Sequence, residues 1–211
     1  MEIEYKGANC LVISVGKIKL VTDPKLSAVG QKDHIVKGAI QLATETDMVI
    51  NTDQKLTIDG PGEYEVSGVS IKGVVAASYN AEDDKRKDST IYTVHAGTVR
   101  LCIVGRIKGE LDEDQLEAIG VVDVLAIPVG GGGYTLDAHA AVATARQINP
   151  KVIIPIHYAD ASLKYSAPQA ELADFIKEFG ASEHEKVAKL KLKSGTGLPE
   201  LTSVIEITRT T

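Results

Sequence analysis

The stretch DVLAIPVGGGGYTLDAHAAVATARQINPKVIIPIHY, residues 123–158, changes pattern twice. Residues 123–129 form a short apolar run of strand character, 136–148 have the composition and length of a helix, and 152–156 are again apolar and β-branched. That order predicts a βαβ unit. Parallel strands joined by a crossover end at the same edge of their sheet, so the glycine run 130–133 and His157 should lie side by side on one rim. Any function is expected there.

Outward from this unit, residues 2–22 read as two or three short antiparallel strands, with turn signals at Gly7 and Gly16-Lys17, closed by Thr22-Asp23-Pro24. Residues 25–45 suggest a loop with a short helix, and 47–51 (DMVIN) a further strand ending on the rim. DGPG at 59–62 is a tight turn, followed by a strand pair over 63–66 and 69–75 around Ser67-Gly68. The mixed-charge run EDDKRKD, 82–88, predicts a surface loop before strands over 90–95 and 99–104. Residues 112–119 form an acidic-fronted helix, and 168–179 a second with proline in its first turn and Gly180 as its stop. Residues 187–193 and 201–208 alternate, which predicts a terminal hairpin. Lys189, Lys191 and Lys193 then protect its edge, or alternatively form an anion-binding stripe. Together these elements predict an α/β fold in one domain over 1–211, two sheets packed face to face with helices outside.

With 211 residues, 44% hydrophobic and 25% charged, the chain has an ordinary globular composition and no apolar segment of membrane-spanning length. A net charge of −6 opposes a broad footprint for nucleic acid or anionic lipid, so neither nucleic acid nor membrane is an expected partner. The first residues show no basic leader followed by an apolar run, and the expected compartment is the cytoplasm. Cys10 and Cys102 sit in separate apolar runs without CxxC spacing and read as buried reduced thiols.

Several short segments carry a resemblance: GANC at 7–10, VTDP at 21–24, DGPGEYEV at 59–66, STIY at 89–92, DVLAIPVGGGGYTLD at 123–137 and IPIHY at 154–158. Their order and spacing resemble the metallo-β-lactamase fold family, in particular its small lactonase-like branch of zinc-dependent hydrolases. The resemblance covers essentially the whole chain and implies a four-layer αββα sandwich with a metal site at one edge, between the sheets. It further implies a dinuclear centre held by an HxHxDH motif after an early strand, a mid-chain histidine, a bridging aspartate after a glycine, and a late histidine. Only His157 remains of that set. After the strand expected at 47–51 the chain reads Asn51-Thr52-Asp53-Gln54-Lys55-Leu56 and runs into the DGPG turn. Ser78-Tyr79-Asn80 stands where the mid-chain histidine belongs, and Gly105 is followed by Arg106.

A catalytic zinc site normally keeps three protein ligands, and one histidine does not supply them. Arg106 adds a permanent cation that repels a divalent ion, while its planar fork suits a carboxylate, phosphate or sulfate. The expectation is a degenerate family member with no metal cofactor, acting as a non-catalytic binding or assembly module. Its ligand would be a small anion held by Arg106, His157 and the loop around Gly131 and Gly132, bordered by Asp137, with Tyr134 and Tyr158 as walls. Asp137 also reads as a first-turn acid behind Thr135 as N-cap. The alternative is a lactone or phosphodiester hydrolase with a reduced site. There His157 with Asp23 and Asp53 would hold one zinc or other divalent ion weakly, or His157 would serve as a metal-free general base. His34, His95, His139 and His184 show no ligand spacing, and neither GxGxxG, GxxxxGK[ST] nor GxSxG occurs. The protein partners to expect are a second copy or an intact paralogue.

Overall fold

The computed structural model describes residues 1–79, 88–181, 184–193 and 197–210. Alternation of apolar and polar residues sets the first three strands, β1 (Glu2–Gly7), β2 (Cys10–Val15) and β3 (Ile18–Thr22), as an antiparallel meander. β4 (Ile40–Leu42) and β5 (Leu56–Ile58) then add in parallel. Past the turn at 59–61 the chain enters a second sheet through β6 (Gly62–Val66), β7 (Val69–Ala77), β8 (Asp88–Ala96) and β9 (Val99–Ile103), all antiparallel. After helix α1 (Glu113–Ile119), β10 (Val124–Pro128) pairs in parallel with β9, and after α2 (Ala138–Ile148), β11 (Val152–Ile156) pairs in parallel with β10. Helix α3 (Leu172–Phe179) and the short strands β12 (Glu185–Val187), β13 (Leu190–Lys191) and β14 (Ser203–Ile207) complete the described chain. The sheet orders are β13-β1-β2-β3-β4-β5 and β12-β14-β11-β10-β9-β8-β7-β6.

The two sheets share one core, in which Ile3, Leu11, Leu20 and Leu42 of the first meet Ile71, Tyr92, Leu101 and Ile154 of the second. Each of these side chains contributes about 1.5–3 kcal/mol by leaving water. On the far side of the second sheet, Leu125, Ile127 and Ile153 pack against Ala141, Val142 and Ala145 of α2 and Phe175 of α3. On the far side of the first sheet, Cys10, Val12 and Val21 are covered by Leu26 and Val29 of a 3₁₀ turn and by Leu163 from a loop. The outer layer is therefore helical over one sheet and largely irregular over the other. Among the described residues no helix is long and apolar enough to cross a membrane. Cys10 and Cys102 are free and buried, and burial pushes both thiols up, that of Cys102 to about 12.

Four expectations change. Residues 47–51 form no strand: Thr46–Met48 is a 3₁₀ turn, and the strand lies earlier, at β4. The Gln41 side chain replaces a strand partner for Ile50, accepting its N–H at 3.1 Å and donating to its carbonyl at 3.3 Å. No terminal hairpin forms either. β13 joins β1 at the edge of the first sheet, where Lys189 pairs with Glu2 at 2.7 Å and Glu4 at 3.4 Å, while β12 and β14 run parallel in the second. The third helix begins at Leu172 rather than Pro168, because the Ala170 N–H donates to the Gly130 carbonyl (2.6 Å) and the Ala170 carbonyl accepts from Ala159 (2.9 Å). Finally, Asp137 itself is the N-cap of α2, accepting from the Ala140 N–H at 2.9 Å, and Thr135 is not. Of the charged run 82–88, only Asp88 falls within the described residues.

Candidate functional site

The carboxyl ends of the parallel strands β3, β4, β9, β10 and β11 all open on one rim, and all but β10, which runs into the glycine loop, are followed by polar or charged residues that burial would not tolerate alone. Asp23 follows β3, Thr44 and Glu45 follow β4, Arg106 follows β9 and His157 follows β11. All five are buried. Three residues here also hold left-handed backbone despite carrying side chains: Ala8 (φ 48°), Asp23 (φ 38°) and His157 (φ 51°). Strain of this kind persists only where its surroundings over-determine it, and it concentrates at functional sites.

Hydrogen bonds join these groups across the two sheets. The Asp23 carboxylate accepts from the Thr44 N–H at 2.7 Å and from the Thr44 hydroxyl at 2.6 Å. The Thr44 carbonyl in turn accepts from the Thr90 N–H (2.8 Å) and the Ser89 hydroxyl (3.2 Å) of the second sheet. Gly105 permits this approach, since a Cβ there would stand 2.6 Å from both Ser89 Oγ and Thr44 Cβ. The Glu45 carboxylate accepts from Ser78 at 3.0 Å and from the Arg106 guanidinium. Arg106 also donates to the Tyr134 hydroxyl, lies with Cζ 4.4 Å from the Tyr134 ring centroid, and stands 4.0 Å from the Asp47 carboxylate. The His157 N–H bonds the Ala8 carbonyl and the Tyr5 hydroxyl, both at 3.1 Å.

The tautomer of His157 follows from its neighbours. Asn9 donates its amide N–H to Asp23, so its carbonyl oxygen accepts from His157 Nδ1 at 2.9 Å. Nε2 is then a bare lone pair, buried and without a hydrogen-bond partner among the described residues. Burial and then the Arg106 charge press the His157 pKa down to about 3. Asp23 moves the other way, to about 6, as burial outweighs its bonds to Thr44 and the Arg106 charge.

These two shifts pull stability in opposite directions. His157 contributes stability that is complete above its unfolded value near 6.5 and is lost as pH falls toward 3, about 3 kcal/mol between pH 7.5 and 4.5. Asp23 contributes stability present below its unfolded value near 3.8 and lost as pH rises through 6, so the same acidification returns about 2 kcal/mol. Relative to wild type, His157→Gln should therefore gain stability on acidification and Asp23→Asn should lose it. Urea midpoints at the two pH values measure both, and identical slopes in all three proteins would contradict these assignments.

Arg106, Tyr134 and His157 line one cavity with Ala8, Asn9 and Asp23, capped by Lys25 and Met48. Its volume is about 30 Å³, room for roughly one or two water molecules. Gly131, Gly132, Asp137 and Tyr158, also expected to face a ligand, do not line this cavity. The Gly131 N–H is taken by Thr135 Oγ1 at 2.9 Å and the Leu136 carbonyl at 3.0 Å, and a Cβ on Gly132 would meet the Pro168 carbonyl. Asp137 caps α2, and Tyr158 packs against Tyr5 with ring centroids 6.1 Å apart. Asp53 is exposed beside Lys37, His139 pairs with Glu178 and His184 with Glu206, all outside the cavity lining. A larger open groove of about 630 Å³ beside α1, lined by Lys72, His95, Arg100 and Val121 among others, shares no residue with the rim cavity.

Sequence reasoning missed Glu45, Thr44, Asn9 and Ser78 as partners in one network. Once β4 is placed at 40–42, the residues after the early strand are Ala43-Thr44-Glu45-Thr46-Asp47, where the resemblance implies HxHxDH. Among the described residues no group of three histidine, cysteine, aspartate or glutamate side chains is arranged to hold a metal ion. The donor chemistry agrees: Glu45 is paired to Arg106, Asp23 to Thr44 and Asn9, and a guanidinium stands among them. These residues do not fit a divalent centre as they stand.

Comparison with known proteins matches residues 2–157 to the family described as the β-lactamase superfamily domain. A protein of Natranaerobius thermophilus named UPF0173 metal-dependent hydrolase is 25% identical, the match covering 75% of this chain and 83% of that one. The crystal structure of a Thermotoga maritima protein described as a Zn-dependent hydrolase of the metallo-β-lactamase superfamily is 28% identical with a TM-score of 0.77, covering 98% of each chain. A metallo hydrolase of Ignicoccus hospitalis shares the fold at 16% identity and a TM-score of 0.66, over 100% of this chain and 97% of that one. With the family match spanning residues 2–157, most of its length, this chain belongs to the β-lactamase superfamily.

Proposed function

We propose that this protein is a non-hydrolytic member of the superfamily, working in the cytoplasm as a binding or assembly module rather than as a metallohydrolase. The observation that carries this reading is the buried Arg106 guanidinium, paired to Glu45 and stacked on Tyr134 among the carboxylates of the rim. A fixed cation there opposes the binding of a divalent ion, and Glu45 is already engaged. The buried reduced thiols of Cys10 and Cys102 accord with a reducing compartment. A small anion is the ligand class that suits Arg106, reaching it by displacing Glu45, and the protein partner is a second copy or an intact paralogue.

A metal-free hydrolase acting through His157 has less support. A general base works best with a pKa near the operating pH, and that of His157 lies near 3. The cavity beside Nε2, about 30 Å³, is too small for an organic substrate. The test is a panel of lactone, phosphodiester and β-lactam substrates, assayed with chelator and with added zinc or manganese. The expected turnover is no greater than that of His157→Ala in every condition. Turnover that His157→Ala abolishes would overturn the proposal.

A further inference from the structure

β6 and β13 are the last strands of their sheets, and no described strand pairs with the outer side of either. They stand at opposite ends of the sandwich, since the turn at 59–61 joins β5 to β6 and residues 188–189 join β12 to β13. Their free hydrogen-bonding groups fall on charged residues. β6 and β7 close on the two-residue turn Ser67-Gly68, with φ 55° and 79°, so Val66 and Val69 exchange both ladder bonds, as do Tyr64 and Ile71. Glu63 and Glu65 therefore turn their N–H and C=O groups away from β7, to the open edge. On β13, Met1 and Leu192 exchange both bonds, at 2.7 and 2.8 Å, so Leu190 bonds Ile3 in the same phase and Lys191 turns its groups outward. The side chains repeat the match. Tyr64 and Leu190 both pack on the core between the sheets, while Glu63, Glu65 and Lys191 alternate with them on the outer face.

Neither edge suits a copy of itself. Two β6 strands paired antiparallel about Tyr64 would set Glu63 against Glu65, and two β13 strands would set lysine against lysine. The two edges suit each other. β1 shows what a Glu-x-Glu strand accepts: Glu2 and Glu4 take Lys191 and Lys189, at 3.7 and 3.4 Å, with Leu190 opposite Ile3 between them. Glu63-Tyr64-Glu65 repeats that pattern at a free edge. We infer that β6 of one copy adds antiparallel to β13 of a second copy, with Glu63 opposite Lys191, Tyr64 opposite Leu190 and Glu65 opposite Lys189. In this register the outward groups of Glu63 and Lys191 exchange ladder bonds, and charges alternate across the seam as Lys72, Glu63, Lys191 and Glu2. The contact is heterologous and its two halves lie at opposite ends of the molecule, so two copies cannot satisfy both edges and association continues past a dimer. It uses no residue of the rim cavity and stands whatever that cavity binds.

The experiment is sedimentation velocity of the full chain from about 10 µM to about 1 mM, a range suited to so short a ladder, in about 0.02 M and about 1 M sodium chloride. In low salt wild type should associate reversibly, its sedimentation coefficient rising past that of a dimer. In high salt, where the screening length falls to about 3 Å, association should weaken. Glu63→Lys/Glu65→Lys changes two exposed side chains and should stay monomeric throughout, with a urea midpoint close to that of wild type. Glu63→Gln/Glu65→Gln, which adds no repulsion beside Lys72, should weaken association by about 3- to 10-fold and serves in its place if the reversal variant does not fold. Wild type that remains monomeric at the highest concentration in low salt overturns the inference. So does association that stops at a dimer, or that both variants retain at wild-type strength. A monomeric wild type that binds the synthetic peptide AKLKLK, residues 188–193, would show that the β6 edge receives a basic strand from another protein, and this too would overturn pairing with a second copy.

Discussion

Arg106→Ala should lower the stability of the fold by about 5 kcal/mol in the absence of added metal, and Glu45→Ala by about 3 kcal/mol. Both side chains are almost fully buried, at 6% and 5% exposure, so removing either partner strands a charge in low dielectric. The order follows from what each deletion leaves behind. Without Glu45, the guanidinium still has Asp47 within 4.0 Å and the Asp23 charge close by. Without Arg106, buried Glu45 loses its paired cation, and Asp47 and Asp23 lose the same neighbouring charge. Replacing both by apolar residues of similar size, as in Glu45→Met/Arg106→Leu, should cost less than the sum of the single changes by about 2 kcal/mol or more, because no unpaired charge remains on the pair. Denaturant unfolding of wild type, Glu45→Met, Arg106→Leu and their combination measures the cycle. Additive losses would mean that the two side chains do not act as a pair.

Gly132→Ala should be nearly as damaging, costing about 3 kcal/mol or more. Gly132 lies at φ 69°, and a Cβ there would run into the Pro168 carbonyl, a backbone atom that cannot swing aside. Gly133 provides the control: its φ is 70°, but a Cβ would meet nothing within 4 Å, so Gly133→Ala should cost only the backbone strain of about 1–2 kcal/mol. Equal urea midpoints for the two variants would show that contact with the 168–170 segment contributes nothing. The glycine run therefore serves close packing of two loops, and the Gly131 amide is already bonded within its own turn.

The fold was legible wherever sequence pattern and local geometry coincide. The βαβ unit at 123–158, the opening meander and the pair around Ser67-Gly68 each combine a strong apolar period with an unambiguous turn. Legibility failed where composition says strand and context decides otherwise. Met48, Val49 and Ile50 are apolar and partly branched, but the segment is held by Gln41 and a 3₁₀ turn, while the true strand is the three-residue Ile40–Leu42, too short to show a period. That displacement hides the site, because a strand ending at Asn51 puts the following residues beyond it and leaves Glu45 ahead of the strand. Once β4 is placed, a glutamate entering a buried rim demands a cation, and Arg106 is the cation next to the glycine at the end of β9. At the C-terminus, alternation identified two strands but not their partners. The pairing of Lys189 and Lys191 with Glu2 and Glu4 was the available signal, a complementarity between chain ends that local periodicity does not contain.

The most direct test of the account is the metal content of wild-type protein purified without affinity metal or chelator, measured by elemental mass spectrometry beside His157→Ala. A rim neutralised by Arg106 predicts zinc, iron and manganese each well below one ion per chain, with no difference between the two proteins. One or more ions per wild-type chain, lost in His157→Ala, would contradict it and return the site to metal chemistry.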